Sequence, residues 1–72
     1  MDDALQIMPD LIADEAQDAM RYANLALANK AESPDLADLF MHLSSEELHH
    51  MKMISDKMAS MVGNLHDQYN GL

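Results

Sequence analysis

Seventy-two residues with a net charge of −9 and no cysteine allow one small domain and exclude a disulfide framework or a thiolate site. A chain this short buries only about 60% of its unfolded surface, so a metal, a partner subunit or both are expected to complete it. The excess of acid argues against nucleic acid or an anionic membrane surface as partner and leaves carboxylates free for cations.

Two glycines and two prolines among abundant Ala, Leu, Met, Asp and Glu point to an all-α chain. Asp3 with Gln6 forms a capping pair for a short turn near Ala4. Pro9 removes an amide and disfavours helix at Met8, which predicts a kink there and a main first helix over about residues 9–30. In "KAESPDLADLF", Ser33 is an N-cap, Pro34 suits the first helical position, and Asp35 favours the positive end of the dipole. The second helix is predicted over about residues 34–62, where Gly63 and Asn64 offer a stop signal, with a short C-terminal tail that holds either a weaker turn or a continuing helix through Leu65 and Tyr69. The whole of 1–72 reads as one two-helix domain, an antiparallel helical hairpin.

Each predicted helix carries a seam whose steps alternate four and three, the rhythm of a bundle. In the first it runs Met8, Ile12, Glu15, Ala19, Tyr22, Ala26. In the second it runs Leu36, Phe40, Leu43, Glu47, His50, Ile54, Met58 or Met61, Leu65, with Leu39, Met51 and Met53 widening the face. Both seams are apolar except at Glu15 and at Glu47 with His50. An unpaired buried carboxylate is costly, so these positions need each other or a cation. At about 1.5 Å per residue, Glu15, Glu47 and His50 lie roughly 22, 20 and 24 Å from the turn, one common height in a hairpin. The stretch "SSEELHHM" holds a second, overlapping Glu-x-x-His pair, Glu46 and His49, one step round towards solvent. Two glutamates and a histidine suit iron or manganese, and also zinc. One hairpin offers three such ligands, and two hairpins offer the four glutamates and two histidines of a di-metal carboxylate bundle.

"LIADEAQDAMRYANLA", in which Tyr22 follows Glu15 by seven residues, resembles the first helix of a rubrerythrin-type ferritin-like half. "LADLFMHLSSEELHH" is similar to its second, in which Glu and His stand seven and ten residues after Phe; counted from Phe40 these are Glu47 and His50. The resemblance implies a ferritin-like four-helix bundle, and a chain with two of the four helices implies a homodimer or a higher multiple of dimers. In the latter respect the chain is similar to two-helix encapsulated ferritins, and "VGNL" in the tail faintly resembles the shell-docking motifs of such cargo. The activity implied is oxidation of ferrous iron by oxygen or peroxide at a site shared between subunits. Two irons per dimer would be bridged by Glu47, capped by Glu15 and ligated by His50. Tyr22 would stand behind the ligands.

Two other readings are kept: a di-iron or di-manganese peroxidase or catalase-like enzyme, and a metal-free helical oligomerisation module. In the module, Glu15, Glu47 and His50 would be a hydrogen-bonded polar cluster that fixes register. His42, Glu46 and His49 form a weaker accessory metal stripe, and Asp2, Asp3, Asp10, Asp14 and Asp18 an acidic band. With no leader-like stretch and no run of about 18 apolar residues, the chain is expected to be cytoplasmic or inside a cytoplasmic protein shell.

Overall fold

The computed structural model describes residues 3–71, so Asp2 of the acidic band lies outside the described residues. Two α-helices, α1 (Asp3–Asn29) and α2 (Pro34–Asn70), are packed on each other. Residues 30–33 reverse the chain between them, giving an antiparallel hairpin of 62 × 14 × 11 Å. Among the described residues no helix is long and apolar enough to cross a membrane.

The turn forms where Ser33 and Pro34 place it, with a difference in detail. Ser33 occupies the N-cap, but its hydroxyl caps nothing, because its backbone at ψ 71° stops short of the extended conformation that capping uses. The backbone closes the turn instead. The Ser33 N–H donates to the Asn29 carbonyl at 2.8 Å, and the Ser33 carbonyl accepts from Ala37 N–H at 3.0 Å.

Two expected breaks are absent. α1 begins at Asp3 and runs through Pro9. The proline removes only the bond to the Leu5 carbonyl, and Leu5 and Met8 remain half-buried on the same stripe as the rest of α1. α2 likewise continues through Gly63 to Asn70, where the Gly71 N–H bonds the Asp67 carbonyl at 3.0 Å. Gly63 keeps helical backbone, since no described residue adopts a positive φ. The "VGNL" segment is therefore part of a helix and not an extended tail.

The seam of α1 is as expected: Met8, Ile12, Glu15, Ala19, Tyr22 and Ala26 are all buried or half-buried. The seam of α2 is turned by about one residue. It runs Ala37, Phe40, Ser44, Glu47, Met51, Ile54, Met58, Met61, whereas Leu36, His50 and Leu65 are exposed. The fully buried positions are small: Ala19 and Ala26 on α1, Ala37 and Ser44 on α2. Each pair is one heptad apart, so the helices approach closely along one line. Ser44 Oγ donates to the Ala19 carbonyl at 2.7 Å, which fixes the register. Tyr22 stacks on Phe40 with ring centroids 6.4 Å apart and planes at 21°.

Candidate metal centre

The register that pairs Ala19 with Ser44 carries Glu15 of α1 to the level of Glu47 and His50 of α2. His50 Nδ1 lies 3.2 Å from Glu15 Oε2 and 3.9 Å from Glu47 Oε2. One ligand atom from each of the three residues falls within 4.8 Å of the others. The side chains of Glu15 and Glu47 are 26% and 19% exposed and that of His50 is 50% exposed, so the group is closed towards the hairpin and open on one side.

The two carboxyl groups titrate as a pair. Glu47 is pushed above the ordinary carboxylate range, chiefly by its hydrogen bond with Glu15, then by burial and by the charge of Glu15. Glu15 is held below that range by the same hydrogen bond, and His50 adds to the effect against some opposition from burial. Of the two, Glu47 is therefore the carboxyl that takes up a proton first as pH falls. Asp18 also raises Glu47 through its charge. Half-buried on α1, it belongs to the edge of the centre, whereas Asp3, Asp10 and Asp14 are exposed as a solvated band would be.

The other candidates fall elsewhere. Glu46 and His49 are exposed, and Glu46 Oε1 meets His42 Nε2 at 2.8 Å on the outer surface of α2. His49 does not join a three-ligand group with them among the described residues. Tyr22 is correctly placed on the seam, but within the hairpin its ring stacks on Phe40 and its hydroxyl bonds none of the three ligands. Ser44 was missed because serine scores low on an apolar seam; the sign available was its heptad spacing from Ala37 and Met51.

Two carboxylates and an imidazole brought this close together form a donor set suited to iron, manganese or zinc. No curated protein and no solved structure matches the chain. The family model for rubrerythrin matches residues 7–70, nearly the whole length. The two-helix hairpin that carries Glu15, Glu47 and His50 on facing seams belongs to the rubrerythrin family.

Proposed function

We propose that this hairpin is half of a di-iron carboxylate protein that oxidises ferrous iron, with the site completed by a second copy in a ferritin-like four-helix bundle. The observation that carries the reading is the convergence of Glu15, Glu47 and His50 at one height with their open side facing out of the hairpin. Three protein ligands from one chain leave a di-metal site half built. Two copies supply four carboxylates, which offset the four positive charges of two ferrous ions. Membership of the rubrerythrin family supports iron as the metal.

Glu15, Glu47 and His50 of each copy would hold the two ions, which would supply the electrons for reducing dioxygen or peroxide. The chain's own contribution is to hold and neutralise them. Glu47, the more enclosed carboxylate, would serve as a ligand from α2. Glu15, its carboxyl held below the usual range, would serve from the opposite helix. His50 supplies nitrogen through a ring whose Nδ1 faces the carboxylates. Leu43 and Ile54, above and below on α2, limit water around the ligands.

A peroxidase or catalase-like reaction, with iron or manganese, uses the same ligands and is the nearest alternative. It requires faster turnover of peroxide than of oxygen once metal is loaded. Native mass spectrometry after anaerobic loading with ferrous iron tests the main reading. Two irons per pair of chains are expected, with that iron lost in Glu47→Ala. A dimer that takes up no iron, manganese or zinc would make the three residues a structural polar cluster.

A further inference from the structure

The methionines have no part in the centre described above, yet they make up eight of the 72 residues. Among the described residues they fall into two sets. Met8, Met51, Met58 and Met61 are half-buried along the seams, whereas Met20, Met41 and Met53 are 65%, 49% and 57% exposed. The exposed three stand near the height of the centre. Met20 follows Glu15 by five residues, Met41 precedes Glu47 by six, and Met53 follows Glu47 by six. Each is therefore no more than about 9 Å along the rod from the level of a candidate ligand.

The helix period turns these three away from the carboxylates. At about 100° per residue, Met20 is turned roughly 140° from Glu15, and Met41 and Met53 roughly 120° from Glu47. Met20 and Met41 lie on the face of the hairpin opposite the opening, and Met53 lies on the outer surface of α2. A second copy set over the opening leaves all three in solvent. An oxygen atom added to an exposed thioether disturbs no packing. On a seam it does, because a sulfoxide is polar. Met51 and Met58 are in that position, with Met51 one turn beyond Glu47 on the same helix.

We infer that Met20, Met41 and Met53 are modification sites for peroxide, and that their thioethers take up oxygen before the seam methionines do. A sulfur lone pair attacks one peroxide oxygen, the O–O bond breaks, a sulfur–oxygen bond forms, and the other oxygen leaves as water. Each methionine is oxidised by two electrons and each peroxide is reduced by two. The peroxide comes from solution or from the centre itself, where two electrons from two ferrous ions and two protons convert dioxygen to peroxide. Only the second source rests on the di-iron reading above. From either source, the outer sulfurs shield Met51 and Met58, and with them the helix contact that carries Glu47.

Peptide mass spectrometry reads each site after oxidation. Metal-free protein treated with limiting hydrogen peroxide is expected to react at Met20, Met41 and Met53 about fivefold faster than at Met51 or Met58. The product with all three oxidised is expected to keep its helical content and its uptake of ferrous iron. With Met20→Leu, Met41→Leu and Met53→Leu combined, the same peroxide should oxidise Met51 and Met58 instead. Met51 or Met58 reacting as fast as the outer three, or seam oxidation unchanged by the leucines, overturns the proposal. A second arm uses ferrous iron and air with no added peroxide. Marking of the same three residues, abolished by catalase, identifies the centre as a source; marking in the first arm alone identifies solution. A chain that neither binds nor oxidises ferrous iron, yet keeps the ordered oxidation by added peroxide, overturns the di-iron reading and supports these sites. Protection of Met20 and Met41 in a protein that is dimeric by native mass overturns their placement in solvent.

Discussion

The Ser44 hydroxyl reaches across the hairpin to the Ala19 carbonyl at 2.7 Å, and the candidate ligands Glu15 and Glu47 lie one turn away, one on either helix. Glu47 follows Ser44 by three residues and Glu15 precedes Ala19 by four. Because the two helices are antiparallel, both steps lead in the same direction along the rod. The small-residue contact and the polar cluster are therefore successive layers of one interface, and the first sets the height of the second.

Ser44→Ala removes the cross-helix bond but keeps the close approach, and the Ala19 carbonyl retains its helical partner. A loss of about 0.5–1.5 kcal/mol in urea unfolding is expected, with metal uptake retained. Ser44→Leu forces bulk between helices that touch there, at about 1–3 kcal/mol, and is expected to separate Glu15 from Glu47 and abolish metal uptake. Equal metal binding by both variants would mean that the register is set elsewhere.

The paired carboxylates give the metal-free protein an unusual pH dependence. Glu15 is lowered on folding, so its contribution to stability is present above its unfolded value and is lost as pH falls through its folded value. Glu47 is raised, so its contribution is present below its unfolded value and is lost as pH rises through its folded value. The pair therefore stabilises the fold most between the two folded values, one below and one above the ordinary glutamate value. Melting temperature without metal should fall from that range towards neutral pH, and Glu47→Gln should remove this fall. Metal affinity should rise over the same interval, with proton release detectable by calorimetry in buffers of different ionisation enthalpy.

Pro9 and Gly63 were expected to interrupt the helices by local rules, and neither does. A Cβ at Gly63 would meet no atom within 4 Å, so Gly63→Ala is expected to stabilise by about 0.5–1 kcal/mol. Pro9 is exposed, and Pro9→Ala restores the amide to the Leu5 carbonyl for a gain of up to about 3 kcal/mol. Chemical denaturation measures both. A loss at Gly63 would mean that the last turns of α2 require glycine's freedom.

The turn at Ser33 and Pro34 was legible because capping, proline and acid agree within three residues. The ends of the helices were not, because Pro9 and Gly63 act locally while the stripes that hold those turns extend well beyond them. Glu15, Glu47 and His50 stood out as polar breaks in an apolar rhythm. The frame of α2 was misread for a related reason. Weighting by hydrophobicity chose Leu36 and Leu43 over Ala37 and Ser44, but close helix contact selects small residues. The displaced leucines then appear on the flank beside His50, where one chain leaves them exposed or half-buried.

Replacing Glu47 and His50 together by leucine separates a metal protein from a scaffold. The double variant removes the close Glu15–Glu47 pair and continues the apolar stripe, and Glu15, partly exposed, can turn to solvent. Without metal it should melt higher than the parent, as apolar replacement of buried polar clusters often does. With ferrous iron under anaerobic conditions the order should reverse. Ligand binding to the folded state alone stabilises by about 2.7 kcal/mol at a hundredfold excess over Kd, and only the parent has the ligands to gain it. Melting curves of both proteins with and without iron contain the whole comparison. A parent that gains nothing from iron, manganese or zinc would make Glu15, Glu47 and His50 register-setting polar groups, and the hairpin an oligomerisation module.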